Sequence, residues 1–453
     1  VSGDGSYWNA ELETLPWDAV ERWQAPRIAD FVAALPARSA LYARLLGPAA
    51  RAPLREFAAL EALPFTLKTD VRAAQDAARA ETPFGDNQGA STTAIVQTLS
   101  SSGTTGRPLY YALTRADLEH WSEAIAQCWY TAGLRAEDLV AHLVGLPGVA
   151  GGLPYADGFR RVGATLCWLG GFPTERILRE LRHLRISALL ATTSFGTYLA
   201  EQWAALGADT GLPSALRTVL CGGEPGLDQP KIRAKIRDGL GIGALREVMG
   251  LGDVLSCLWA ECEAEAGMHF NAQACVAVEL VDPDSGARVA WREGAQGELV
   301  YTTFAREATP MLRYRSRDHV VVTGMGCACG RTSPRIRCIG RTDDMLIYKG
   351  MNLFPTALRD LIARRFAGQL EPLLRIWKDS AAQVRFDDAV PLDVEAVPGL
   401  PPERHAALAA AVEQVVRAEL QVRVAPRVLP AGSLPRGTYK TSLVAVREPP
   451  ASP

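Results

Sequence analysis

No stretch of about 18 uninterrupted apolar residues occurs in the 453-residue chain, which excludes a membrane helix of the ordinary hydropathy type. The first residues, Val1-Ser2-Gly3-Asp4-Gly5, carry neither the basic stretch nor the apolar run of a signal peptide. Excess charge of one sign is also missing. Lys plus Arg (48) nearly balance Asp plus Glu (50), and a formal charge of -2 sets up no field that would gather nucleic acid or anionic lipid. The expectation is a soluble, cytoplasmic protein with no nucleic-acid and no membrane partner, in which any anionic ligand is held locally. Nine cysteines, an odd number in a long chain with no secretory signal, argue against a disulfide framework and leave free thiols or metal ligands. Neither an internal repeat nor a long low-complexity tract is present.

What is present is enough chain for two or more hydrophobic cores. From about Leu113 to Leu220 helical and strand-like segments alternate: Asp117–Ala132 helical, Leu139–Leu146 an apolar run, Thr174–Leu184 helical, Ile186–Ala191 apolar again. That alternation predicts βαβ units around a parallel sheet. After the turn Cys221-Gly222-Gly223-Glu224-Pro225 the pattern becomes strand-like, with Cys275–Val281 and Gly297–Thr303 separated by Asp282-Pro283-Asp284-Ser285-Gly286. Beyond Gly340-Arg341-Thr342-Asp343-Asp344 lies a piece of about 110 residues, of a size for a small α+β domain, with a helix at Glu403–Glu419. The expected fold class is α/β: a large N-terminal domain (residues 1–340) of parallel and mixed sheets with flanking helices and a β-rich subdomain, a hinge near 341–344, and a small mobile α+β C-terminal domain (344–453).

Ser100-Ser101-Ser102-Gly103-Thr104-Thr105-Gly106-Arg107-Pro108 supplies backbone N–H groups and hydroxyls suited to wrapping phosphate oxygens, with glycine where the backbone must approach closely. It is not a Walker loop, because no G-x-x-x-x-G-K-[ST] spacing occurs. Alone it reads as an ordinary polar loop; its sequel makes it specific. Gly222-Gly223-Glu224-Pro225, Met249-Gly250-Leu251-Gly252-Asp253, Gly297-Glu298-Leu299-Val300, Arg313-Tyr314-Arg315-Ser316-Arg317-Asp318, Gly340-Arg341-Thr342-Asp343-Asp344 and Lys440 follow in order. Together they resemble the adenylate-forming superfamily of acyl-CoA synthetases, peptide-synthetase adenylation domains and luciferase. Leu63-Pro64-Phe65-Thr66-Leu67-Lys68, Pro83-Phe84-Gly85 and Cys327-Ala328-Cys329-Gly330-Arg331-Thr332-Ser333-Pro334 narrow the resemblance to the phenylacetate-CoA ligase branch, over about Leu63 to Lys440.

The resemblance implies ATP, Mg²⁺ and CoA as cofactors and a reaction in which a carboxylate attacks the α-phosphate of ATP, where positioned cations and backbone donors stabilise the phosphoryl charge. By the same resemblance Ser101, Ser102, Gly103, Thr104, Thr105 and Gly106 cradle phosphates, and Gly223, Glu224, Pro225, Met249 and Gly250 border the nucleotide. Asp318 and Arg341 contact ribose; the bland alternative for Asp318 is an ion pair with Arg315 or Arg317. Asp253 corresponds to the acid expected to hold Mg²⁺, and here it follows Gly252 where relatives carry a hydroxyl, while Met249 replaces an aromatic residue. Arg107 stands where lysine is common and changes the reach of the charge. Lys440 corresponds to the late lysine that contacts the substrate carboxylate and α-phosphate, and Asp343 to the hinge about which the small domain turns.

Cys262, His269, Cys327 and Cys329 offer three sulfurs and one imidazole, a set that suits tetrahedral zinc with no open position, and so a structural site; some members of the branch carry one. Cys257 is the substitute should Cys262 point elsewhere, and for Cys128, Cys167, Cys221 and Cys275 a buried, inert thiol is the expectation. Similarity to aromatic-acid ligases lines the acyl pocket with Tyr155, Gly158, Phe195 and Tyr198, although each aromatic among them serves equally well as core filler. The expected activity is that of an aryl-acid:CoA ligase acting on a benzoate, hydroxy- or aminobenzoate, or phenylacetate type of acid. The alternatives are an aryl-acid AMP ligase that delivers the acyl group to a carrier protein or an amine, and a non-catalytic nucleotide-binding homologue. Monomer and homodimer are both compatible with the sequence.

Overall fold

A computed structural model describes residues 5–48, 54–100, 108–144, 147–206, 214–224, 226–227, 229–341, 346–349, 351–380, 383–434 and 443–447. The chain divides into two compact units. The first comprises Val1–Gly223, Ile232–Ser316 and Val320–Arg337; the second comprises Glu224–Lys231, Arg317–His319 and Cys338–Pro453.

The first unit opens with helices α1 (Ala10–Glu13), α2 (Trp17–Arg38), α3 (Ala40–Leu46) and α4 (Lys68–Asp76). In α2 the residues Ile28, Phe31, Val32 and Leu35 recur at helical spacing and are buried with Tyr42 of α3 and with Leu312. Each such side chain removed from water contributes about 1.5–3 kcal/mol. Strands β1 (Ile95–Ser100) and β2 (Tyr110–Thr114) pair antiparallel, Ser100 opposite Tyr110. Next come α5 (Arg115–Thr131), β3 (Leu139–His142), α6 (Leu153–Val162), β4 (Thr165–Trp168), α7 (Thr174–His183), β5 (Ala188–Thr192), α8 (Thr193–Leu206), β6 (Thr218–Gly222), α9 (Pro230–Leu240) and β7 (Ala244–Leu251). The succession continues as β8 (Leu255–Glu261), β9 (Met268–Phe270), β10 (Ala277–Val281), β11 (Gln296–Thr302), β12 (Tyr314–Gly324) and β13 (Arg335–Arg341).

Strands β3 to β13 form one sheet in the order β10-β11-β12-β13-β9-β8-β7-β6-β5-β3-β4. From β4 to β7 neighbours are parallel; β8 turns back on β7, and β9 on β8. Strand β6 is buried at every residue, the pattern of a parallel strand covered on both faces, which explains its continuous apolar sequence. The predicted βαβ series is therefore present. The β-rich section is not a separate layer, since its strands continue the same sheet.

Boundaries differ from expectation for local reasons. Helix α5 starts at Arg115 and not at Asp117, because Thr114 is the N-cap: its hydroxyl accepts from Asp117 N, and the Asp117 carboxylate accepts from Thr114 N, a reciprocal capping box. Strand β3 ends at His142, short of the apolar run's end. A turn in which Cys275 N donates to Ala272 O delays β10 to Ala277.

The second unit holds β14 (Leu346–Tyr348), β15 (Met351–Leu353), α10 (Pro355–Arg365), β16 (Leu370–Lys378), β17 (Arg385–Phe386), β18 (Val390–Ala396), α11 (His405–Leu420), β19 (Val424–Leu429) and β20 (Val444–Val446). Its four-stranded sheet runs β19-β18-β16-β20. The core is built from Leu358, Leu361 and Ile362 of α10, Val412 and Val416 of α11, and Leu374, Ile376, Leu392 and Val394 of the sheet. Among the described residues, no helix is long and apolar enough to cross a membrane.

Candidate active site and a cysteine-histidine cluster

In open α/β sheets ligands are bound outside the carboxyl ends of the strands, where singled-out residues lie beside others that the sequence did not mark. His142 ends β3, Thr192 ends β5, Gly222 ends β6 with Gly223 just beyond, and Met249 and Gly250 sit near the end of β7, where a bulge separates Met249 from Leu251. Asp253 occupies the turn into β8. Gly252, where a hydroxyl residue was the comparison, has no room for one: a Cβ there would lie 2.7 Å from Ala150 Cβ. The departure from the pattern thus has a packing cause.

Asp253 is 2% exposed and its environment is built by four segments. Tyr314 OH donates to its Oδ2 at 2.5 Å, and Lys68 Nζ lies 3.4 Å from the same oxygen. Lys68 opens α4 and is delivered by the Leu63–Leu67 segment, whose Thr66 exchanges backbone hydrogen bonds with the β12 start: Thr66 N donates to Arg313 O and Arg315 N to Thr66 O. From below, Arg306 donates through Nη1 to Asp253 O (2.8 Å) and Val254 O (3.3 Å). Tyr111 of β2 is also buried here; burial first, and then the Asp253 charge, hold its phenol well above the usual value.

The Arg-Tyr-Arg string divides its labour. Arg313, with an unusual φ of 45° for a non-glycine residue, forms a buried two-point ion pair with Glu279 and donates to Glu61 O and Leu63 O. Tyr314 addresses Asp253. Arg315 makes a fork with both oxygens of Glu298. Arg315, one of the two arginines expected beside Asp318 in the bland alternative, has Glu298 as its carboxylate partner instead. In the second unit Asp318 and Arg341 come together, Arg341 Nη1 donating to Asp318 Oδ1 at 3.0 Å, so the two residues assigned to ribose form one acid-guanidinium pair. Such a pair presents acceptor and donor side by side, the complement of vicinal hydroxyls. Glu224 also belongs to the second unit.

The four acyl-pocket candidates have different surroundings. Phe195 and Tyr198, on the first turns of α8, stack with ring centroids 6.2 Å apart, and Tyr198 is 43% exposed. Tyr155 is buried; its OH donates to Ser256 O at 2.8 Å and its ring meets Trp129 edge-on at 4.9 Å. Gly158 lies where α6 crosses α5: a Cβ there would fall 2.4 Å from Ile125 Cγ2, so its glycine is required by helix packing. Beside Tyr155 is His142, which carries no motif in the sequence. It is fully buried, its Nε2 is 3.1 Å from Gly152 O, and burial pulls its pKa down to about 4, so it is neutral at physiological pH.

Cys262, His269, Cys327 and Cys329 converge in the first unit, their ligand atoms all within 4.8 Å of one another. Cys262 Sγ is 3.7 Å from Cys327 Sγ, and Cys329 Sγ is 3.5 Å from His269 Nε2. Hydrogen bonds from Cys262 and then His269 hold the Cys329 thiol far below the ordinary thiol range, and the bond with His269 lowers Cys327. The other imidazole nitrogen, Nδ1, faces Ser333 Oγ at 3.5 Å. Cys257, the substitute, points elsewhere, with its Sγ toward Trp259 O. The N-terminal segment is fastened over this loop: Tyr7 OH donates to Cys329 O, Arg331 pairs with buried Glu13 at 2.7 Å, and Thr332 N donates to Glu13 O. Residues 101–107, Pro225, Asp343 and Lys440, assigned roles above, lie outside the described residues.

Residues 21–304 match the family model of AMP-binding enzymes. A phenylacetate-coenzyme A ligase of Thermus thermophilus is 34% identical over 78% of this chain and 77% of its own length. One of Aromatoleum evansii is 30% identical over 87% of each. Among solved structures, 2-hydroxyisobutyryl-CoA ligase in its postadenylation state superposes with a TM-score of 0.84 over 99% of this chain and 94% of its own, at 24% identity, which speaks to the fold.

Proposed function

We propose, from the premise that the chain belongs to the AMP-binding enzyme family and is an AMP-forming acid-CoA ligase, that its acid is aromatic, activated as aryl-AMP with release of pyrophosphate and then passed to the CoA thiol. The observation that carries the aromatic reading is the stacked pair Phe195 and Tyr198 at the carboxyl end of β5, a flat apolar surface suited to an aryl ring. The phenylacetate-CoA ligases similar over most of the chain support the same reading.

In this reading Asp318 and Arg341 hold the ribose hydroxyls. Asp253 is the protein ligand for Mg²⁺, a hard cation that prefers oxygen. Its fit rests on a buried carboxylate whose Oδ2 is already fixed by Tyr314 and Lys68, which orients the remaining oxygen. The loop 101–106 and Arg107 serve the phosphates, with Gly223, Glu224, Pro225, Met249 and Gly250 at the nucleotide; Lys440 serves adenylation, and the second unit turns about Asp343. Zinc fits the Cys262, His269, Cys327 and Cys329 donor set, three sulfurs and one nitrogen with a hydroxyl on the second imidazole nitrogen. It would supply cross-linking and no chemistry to the reaction.

The test is acid-dependent pyrophosphate release with ATP and Mg²⁺ across benzoates, hydroxy- and aminobenzoates, phenylacetates and short aliphatic acids, each with and without CoA. Turnover with one aryl acid, accelerated by CoA and ending in a thioester, is the expected result. Preference for an aliphatic acid removes the aromatic assignment, and a burst indifferent to CoA transfers the acceptor role to a carrier protein or an amine.

A further inference from the structure

Arg306 is a guanidinium only 4% exposed, and no acid lies within ion-pair distance of it among the described residues. Burying a charge without a close counter-ion costs several kcal/mol, so its retention calls for a use. Burial pulls its pKa down, while Asp117, Tyr111 and Asp253 push back. Its hydrogen bonds show where it acts. Nη1 spans the carbonyls of Asp253 and Val254, the two peptide groups of the turn that carries the acid, and Nη2 donates to Thr309 Oγ1 at 2.7 Å. Thr309 in turn donates to Ala112 O of β2 at 3.1 Å. The guanidinium lies 5.3 Å from the ring centre of Trp121 and 5.7 Å from that of Tyr111, which limits its sideways movement. Its own loop is fastened by Asp117, whose two oxygens accept from Glu307 N and Ala308 N.

We infer that Arg306 is a positioning residue for the adenylation step: it fixes the backbone of the Asp253 turn from the core side, so that the carboxylate is presented at one place and in one orientation. The inference rests on the reading of Asp253 as the Mg²⁺ ligand. An apolar side chain of similar length fills the same volume but leaves two buried carbonyls unpaired, and the turn then relaxes. Lysine keeps the charge and can reach one carbonyl, but not both with the planar fork.

The experiment measures, for Arg306→Met, Arg306→Lys, Thr309→Val and Asp253→Asn, the Mg²⁺ concentration giving half-maximal pyrophosphate release at saturating ATP and acid. Thioester formation from supplied aryl-AMP and CoA, a step in which no triphosphate is bound or cleaved, is measured beside it, with the melting temperature. Arg306→Met is expected to raise the Mg²⁺ requirement about tenfold or more while thioester formation changes less than about threefold. Arg306→Lys recovers most of the loss, and Thr309→Val shifts the requirement in the same direction by less. Should Arg306→Met fail to fold, Thr309→Val and Arg306→Lys still decide. Equal loss in both half-reactions with an unchanged Mg²⁺ requirement makes Arg306 a purely structural residue and overturns the inference. If Asp253→Asn itself leaves the Mg²⁺ requirement unmoved, the metal-ligand reading fails and the inference with it; a shift for Asp253→Asn alone refutes only the inference.

Discussion

The phenol of Tyr314 and the carboxylate of Asp253 are 61 positions apart in sequence and joined by a 2.5 Å hydrogen bond between buried groups. The bond ties the first residue of β12 to the turn between β7 and β8, so the acid does not choose its own rotamer. Lys68, from a third segment, adds its charge at the same oxygen.

Tyr314→Phe removes one hydrogen bond to an ionised acceptor, about 1.5–3 kcal/mol in the handling of that group. The expected outcome is a 10- to 100-fold fall (~1.4–2.7 kcal/mol) in kcat/KM for acid-dependent pyrophosphate release, with a smaller loss in urea stability. Unchanged kinetics beside reduced stability would assign the phenol to folding alone.

The Asp318 and Arg341 pair predicts coupled nucleotide binding. Asp318→Ala should weaken ATP binding about tenfold or more by calorimetry, Arg341→Ala less. A third of the Arg341 side chain is exposed, so water screens the pair and the coupling energy of a double-mutant cycle belongs near ~0.5–1 kcal/mol. Additive single-site losses would mean that the two contact the ligand independently.

Protein purified without added zinc should contain about one zinc per chain, and Cys329→Ser should lower that content. Because Tyr7, Glu13 and Leu15 all bond to residues 329–332, metal removal should also raise amide exchange across residues 5–15. Faster exchange at the cysteine loop with the N-terminal segment still protected would show that the fastening is independent of the metal.

His142 makes stability depend on pH. Its folded pKa of about 4 lies below the unfolded value near 6.5, so the unfolded chain binds the extra proton in between and stability falls on acidification through that window. The shift amounts to ~3 kcal/mol by linkage. Urea melts at pH 7 and pH 5 should show part of that loss, and His142→Phe should flatten the pH slope whatever its absolute stability. An unaltered slope would move the sensitivity to another group.

Much of this was legible in the sequence where local chemistry decides. The βαβ series showed in its apolar periodicity, and the grouping of three cysteines and one histidine in its residue types together with the branch resemblance. What escaped depended on contacts between distant segments. Arg306 sits in Phe304-Ala305-Arg306-Glu307, which offers no spacing signal, and its role appears only once the Asp253 turn is laid across it. Lys68 was visible as part of a motif but had no assigned partner until Thr66 paired with β12. Gly158 was placed at the acyl pocket by resemblance alone; a Cβ there would collide with Ile125 and Trp129, a packing reason for glycine that no sequence pattern shows. Gly252 stood out only as a departure from the pattern; its packing against Ala150 shows in the structure alone.

The strand order and the N-terminal fastening also bear on time. β9 lies between β8 and β13, and Glu13 waits for Arg331, 318 residues downstream. At synthesis rates of roughly 5–20 residues per second, the first helix leaves the ribosome about 16–60 s before its partner exists. For the residues from Phe270 to Arg335, about 3–13 s at the same rate, the β8–β9 hairpin keeps an open edge, and throughout the longer wait the N-terminal segment lacks its fastening at Arg331. Nascent chains of this protein therefore spend most of their synthesis with the large sheet unfinished, and the stretch from Cys327 to Ile336 supplies both closures.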